Sequence, residues 1–296
     1  MSLRGRRFLV HGIVGLALIG VSWPASWLHL EPFGRHSFFS LWLGYILVVD
    51  AIVLRRRGES LLTRSPAGFV LMFVASAPLW WAFEGINQLT DNWRYIGVSQ
   101  YSALQYSLLA TWNFSIVIPA VFETAELLGS FSVIRRFHHG PKIPLSGPTL
   151  VGIALLGVMM MPALALWPKY VFPMAWLSLF LVLDTLNLAL GRPSIASDLR
   201  RGDWRQVAAL ALGALVCGWF WEMWNFRALP KWEYSIPYLG FARVFEMPVL
   251  GYLGYLPFGL EVYAGYHFLT GWFNCVGTTN VPVIEQPSDD LVARTR

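Results

Sequence analysis

QVAALALGALVCGWFWEMWNF, residues 206–226, is the stretch on which the fold turns. Its one charged residue is Glu222, and its length suffices to cross a hydrocarbon core of about 30 Å as an α-helix. Tryptophans crowd its last turns, as they do where helices leave a bilayer. Working outward, comparable runs recur at about 8–30, 38–54, 66–86, 104–128, 148–167, 171–190 and 249–272, making eight predicted spans with 206–226. The chain of 296 residues is 56% hydrophobic and 13% charged, with a mean hydropathy of +0.51. A soluble domain carries about 25% charged residues. The expected fold is all-α, a polytopic integral membrane helical bundle.

The basic residues give an orientation. With the N-terminus inside, the cytoplasmic segments hold Arg4, Arg6, Arg7, Arg55, Arg56, Arg57, Arg64, Arg135, Arg136, Lys142, Arg192, Arg200, Arg201, Arg205, Arg294 and Arg296. The outer segments hold Arg35, Arg94, Lys169, Arg227, Lys231 and Arg243. This split of 16 to 6 follows the positive-inside rule and places both termini in the cytoplasm of a bacterial-type inner or plasma membrane. The net charge of +5 is thereby a topology signal that calls for no nucleic acid partner, although basic loops such as RRRGES (55–60) suit anionic headgroups. The basic, apolar start has the form of a signal peptide, but Trp23-Pro24 is echoed by Trp167-Pro168, which favours a retained first helix. Cys217 and Cys275 form neither a disulfide framework nor a metal spacing.

A shift of 138 residues carries Glu84 and Asn87 of WAFEGIN (81–87) onto Glu222 and Asn225, and Pro119 and Glu123 onto Pro257 and Glu261. With one inserted residue, Trp93-x-Tyr95 meets Trp232-x-Tyr234, and VVDAIVL around Asp50 resembles VLDTLNL around Asp184. Matches in one order at a nearly constant offset predict two parallel four-helix repeats, 1–143 and 144–296, the second ending in a short cytoplasmic tail. Parallel repeats build their sites between the halves. The aromatic connections after spans three and seven read as interfacial segments or a partly inserted lid.

Carboxyl groups inside a bilayer are costly and survive by facing a cavity, pairing or holding a proton. Glu84 with Asn87, and Glu222 with Asn225, share a helix face, where the asparagine is expected to orient the carboxyl. Glu123 and Glu261 lie one helix later in each half. Around these candidate catalytic residues, Trp219, Trp221, Trp224, Trp81, Phe83, Trp232, Tyr234, Trp93 and Tyr95 form the predicted substrate wall. Asp50 and Asp184 approach the basic loops and read as structural. None of His11, His29, His36 and His267 recurs between the halves, so neither a metal, a haem nor any other cofactor is expected.

Protonation of an isoprenoid double bond followed by cyclisation suits such groups: a buried acid starts it and aromatic faces stabilise the cation. The motifs PAVFE (119–123), PFGLE (257–261) and WEMWN (221–225) resemble the membrane-integral lycopene cyclases and, more distantly, the meroterpenoid-type integral membrane cyclases. That resemblance implies paired multi-span domains acting on carotenoid ends without a metal. Those cyclases place a proline close to adjacent acids, whereas here three residues separate proline from a single glutamate. A proton-coupled transporter and a non-catalytic lipid-binding or scaffold protein are the competing classes. In each, the partner is a membrane lipid, an isoprenoid or a transported solute, and the sequence sets no oligomeric state.

Overall fold

Serine and glycine punctuate the helices. Ser65 Oγ accepts from Gly68 N ahead of Pro66, Ser102 and Gln105 form a reciprocal capping box, and Gly58 ends its helix in the left-handed region at φ 84°. The computed structural model describes residues 3–272, with side chains from Val10 onward. Cys275, Arg294 and Arg296 lie outside the described residues, and Arg4, Arg6 and Arg7 are described by backbone alone.

In chain order the helices are α1 (Leu3–Trp27), α2 (Phe33–Arg57), α3 (Leu61–Arg64), α4 (Pro66–Thr90), α5 (Ala103–Phe114), α6 (Val117–Gly129) and α7 (Ser132–Arg135). They continue as α8 (Gly147–Leu166), α9 (Pro168–Val171), α10 (Ser178–Ala189), α11 (Ile195–Arg201), α12 (Arg205–Asn225) and α13 (Tyr255–Thr270). Among the described residues, seven stretches are long and apolar enough to cross a membrane, the pattern of a multi-pass membrane protein. They are Val10–Trp27, Phe33–Arg57, Pro66–Thr90, Ala103–Gly129, Gly147–Leu166, Pro168–Ala189 and Arg205–Asn225.

The expected eighth span is shorter than its apolar run. Residues 249–254 form a 3₁₀ turn after Pro248, and α13 has only 16 residues, about 24 Å of helix. The fourth span is broken between α5 and α6, and one side chain of α4 mends the gap. Ser76 Oγ donates to Phe114 O at 2.6 Å and accepts from Ile118 N at 3.1 Å. Irregular backbone at membrane depth needs such internal partners.

Buried residues concentrate on α2, α4, α6, α12 and α13, whereas α1 and α8 turn Ile13, Leu16, Leu155 and Met159 outward. α1 and α2 cross at Gly15 and Gly44, where a Cβ on either glycine would stand 2.7 Å from the other's carbonyl oxygen. Two short ladders complete the otherwise helical fold. β1 (Trp93–Ile96) pairs antiparallel with β2 (Lys231–Tyr234), and β3 (Arg243–Val244) with β4 (Met247–Pro248). The aromatic connections read from the sequence as interfacial segments thus contribute one strand each to a shared ladder.

At the opposite end of the bundle, Asp50 accepts from Ser60 Oγ (3.0 Å) and Leu62 N (3.1 Å), holding the start of α3. Asp184 accepts from Ile195 N (2.7 Å) and Ala196 N (2.8 Å), holding the start of α11. Both carboxyls therefore tie down a short helix beneath a long one; Asp50 also stands 3.0 Å from His11 Nε2. Nearby, Arg64 grips the buried Glu126 with two bonds of 3.0 and 3.2 Å.

Candidate functional site

The last turns of α4 and α12 end in the same device. Asn87 Nδ2 donates to Trp93 O (2.8 Å), while its Oδ1 accepts from Asn92 N (2.9 Å) and Trp93 N (3.2 Å). Asn225 Nδ2 donates to Trp232 O (2.7 Å), and its Oδ1 accepts from Trp232 N (2.9 Å). Spacing alone suggests that each asparagine orients its glutamate. Instead each clamps the backbone that enters a strand, because buried peptide groups there require partners.

The clamps set the register. Trp93 lies opposite Tyr234, and Tyr95 opposite Trp232. Alternate strand residues face the same way, so the four aromatic side chains share one face of the ladder. They line a chamber of about 500 Å³, within the size range of small-molecule sites. Trp80 of α4, Trp221 of α12, Trp176, Tyr255 and Phe258 complete much of its aromatic wall. Asn92, Asn113, Arg35 and Lys231 are among its polar members. Lys231 Nζ is held by Glu246 at 2.6 Å and Glu233 at 3.2 Å, and Arg35 by Glu31 at 2.9 Å.

Glu84 and Glu222 stand one layer behind this wall. Glu84 Oε1 accepts from Tyr95 Oη (2.6 Å), Trp80 Nε1 (2.9 Å) and Trp93 Nε1 (3.1 Å). Glu222 Oε1 accepts from Tyr255 Oη (2.6 Å) and Tyr234 Oη (2.7 Å), and Trp232 Nε1 donates to Tyr234 Oη (2.9 Å). Glu222 Oε2 is buried without a hydrogen-bond partner. Burial, and after it the adjacent carboxyl, pushes the phenols of Tyr95 and Tyr234 well above their usual range, so both stay protonated.

The other residues singled out from the sequence scatter. Glu123 is wholly buried beside Asp50 and Glu126, towards the opposite end. Glu261 is equally buried against the backbone of Leu179 and Phe180, in the first turn of α10. Trp219 is 47% exposed and packs on Phe245, outside the chamber. Trp81 reaches Thr111 Oγ1 (3.0 Å), and Phe83 packs behind the wall on Trp176 and Phe258. Trp224 is buried among Trp23, Trp42 and Tyr45. These four point away because helix periodicity lets only one side of each helix face the ladder. Sequence reasoning missed Tyr255, Trp176 and Phe258: Tyr255 and Trp176 lie outside the motifs built on a carboxylate, and Phe258, though inside PFGLE (257–261), was passed over for Glu261.

Compared with known protein families, curated proteins and solved structures, the chain matches none.

Proposed function

We propose that the protein is an integral membrane enzyme that takes an apolar isoprenoid or lipid into the aromatic chamber and cyclises it by acid catalysis. The observation that carries this reading is the wall itself: about 500 Å³ bounded largely by indole and phenyl faces, where the phenols of Tyr95, Tyr234 and Tyr255 are backed by buried carboxyls. Electron-rich faces attract a carbocation, by about 2 kcal/mol or more in a dry site. Glu222 is the acid of this scheme. A proton drawn from it through the wall adds to a carbon–carbon double bond, a second double bond closes the ring on the cation, and the cation's loss of a proton back to the same group returns the enzyme to its starting state.

The same reading takes the chain as two halves, about 1–143 and 144–296, derived from one four-helix unit, with α13 as a short eighth crossing. The paired Asn87 and Asn225 clamps, the Asp50 and Asp184 caps and the shared ladder support it. The distribution of Arg and Lys supports cytoplasmic termini and a chamber in the outer half of the membrane.

Mass spectrometry of lipids bound to the detergent-purified protein tests the reading, with an isoprenoid or other long apolar lipid as the expected ligand. The reading fails if none copurifies and Glu222→Gln leaves the products of a terpene-producing host unchanged. Ligand-driven proton uptake into proteoliposomes would favour a carrier instead.

A further inference from the structure

The two carboxyl sites are built from the same parts except at two positions. A shift of 138 residues carries Trp80 onto Gly218 and Val117 onto Tyr255. Trp80 supplies an indole donor to Glu84, and Val117 is buried at the chamber wall. In the second site the large residue has changed helices. The ring of Tyr255 occupies the room left by Gly218, where an added Cβ would lie 2.4 Å from its Cδ2. Its hydroxyl then takes the place of the indole N–H at the carboxyl, 2.6 Å from Glu222 Oε1.

The exchange alters the chemistry. Two of the three donors to Glu84 are indole N–H groups, which do not give up their protons in water or in protein. Both donors to Glu222 are phenols, whose hydroxyls can hand on one proton while taking another, since Trp232 bonds to Tyr234 Oη instead of reaching the carboxyl as Trp93 does. One oxygen of Glu222 is buried without a partner. Glu222 itself does not line the chamber, but Tyr255 does, stacked on Trp221 at 6.2 Å between ring centres.

We propose that Tyr255 is the catalytic residue that carries the proton of Glu222 into the chamber, and that the Glu84 site is structural. The proposal rests on the enzyme reading above. In the relay the protonated Glu222 donates to Tyr255 Oη, reversing the bond that the ionised carboxyl accepts, so the Tyr255 O–H turns to the substrate and breaks as a C–H bond forms from the π pair of an isoprenoid double bond. Tyr255 Oη takes a proton from the protonated carboxyl of Glu222 in the same step. After ring closure the cation loses a proton to Tyr255 Oη, which passes one back to Glu222, so no other reactant is consumed.

The test uses full-length protein in nanodiscs with squalene and lycopene as apolar probes, in H₂O and in D₂O. Wild type should give a cyclised product carrying solvent deuterium, with a rate that slows in D₂O. Tyr255→Phe, which keeps the ring against Gly218, should lose about a hundredfold in turnover, the size of a lost acid–base group, at a thermal midpoint close to that of Tyr95→Phe, which also loses one phenol bond to a buried carboxyl. Tyr95→Phe, which changes the chamber wall and leaves the relay intact, should lose about tenfold less turnover than Tyr255→Phe and keep the slowing in D₂O. Wild type converting neither probe overturns the enzyme reading and the relay with it. Wild type converting a probe while Tyr255→Phe keeps its rate and isotope effect, or while Tyr95→Phe falls equally far, overturns the relay alone.

Discussion

Replacing Asn87 by alanine should unfasten β1 from the end of α4, and the cost follows from the bonds removed. Three hydrogen bonds of 2.8, 2.9 and 3.2 Å disappear, and they leave the N–H groups of Asn92 and Trp93 and the carbonyl of Trp93 without a partner. Asn92 is 3% exposed and Trp93 is 6% exposed, so water offers little replacement. At about 1 kcal/mol per bond, and more for any group left dry, the loss is about 3 kcal/mol. Asn225→Ala removes two bonds and should cost about 2 kcal/mol. Because the strands held by the two asparagines pair with each other, the double variant should lose less than the sum, by about 0.5–1 kcal/mol. Asn87→Asp keeps both accepting contacts but sets a carboxylate oxygen against Trp93 O where the amide donated, so it should not recover the stability of wild type. Reversible unfolding in mixed detergent micelles, followed by steric trapping, measures all four. Asn87→Ala within about 0.5 kcal/mol of wild type would refute the clamp.

Further perturbations probe other parts of the bundle. Glu126→Gln breaks a buried, two-bond contact with Arg64 and should destabilise by about 3 kcal/mol in the same unfolding assay; a neutral result would mean that Glu59, 3.4 Å from Arg64, holds the arginine without it. Gly44→Val places a side chain where Gly15 O stands 2.7 Å from the Cβ position, and should cost about 1–3 kcal/mol, whereas Gly20→Val, with nothing within 4 Å, should be close to neutral. Equal effects would mean that the α1–α2 crossing is not close-packed. Burial, outweighing the pull of Arg201, pushes the Asp198 carboxyl up to about 6. An unfolded Asp titrates near 3.9, so the folded chain binds the extra proton between about pH 4 and 6. Stability is then greatest below about pH 4 and falls as pH rises through that window, by up to about 3 kcal/mol from this group. Asp198→Asn should flatten that slope, and thermal midpoints across the window that fall equally in both proteins would contradict it.

The helices were legible in the sequence because hydrocarbon length and apolar runs set them directly, as in residues 206–226. Trp93, Tyr95, Trp232 and Tyr234 were legible as a recurring pair of motifs, but their antiparallel pairing was not: it joins segments far apart in the chain, and no local pattern encodes the partner. Asn87 and Asn225 were found for their helical spacing to glutamate, which misread their direction. Spacing reports a shared face, whereas the backbone N–H groups just past the helix end determine where an amide turns. The short α13 escaped notice because hydropathy counts apolar residues whether they are helical or lie in a 3₁₀ turn. Tyr255 carried a signal that went unused, the compensating loss of a large side chain at Gly218.

The break between α5 and α6 leaves the fourth crossing with a joint that a continuous helix lacks. A single hydroxyl, on Ser76, fastens both loose ends to α4, and α5 contributes Tyr106, Leu109, Ala110 and Asn113 to the chamber. A guest that forces α5 aside must strain those two bonds, and the strain falls on the helix whose final turns carry Glu84 and Asn87. One small residue outside the chamber thus holds both ends of the joint in its wall.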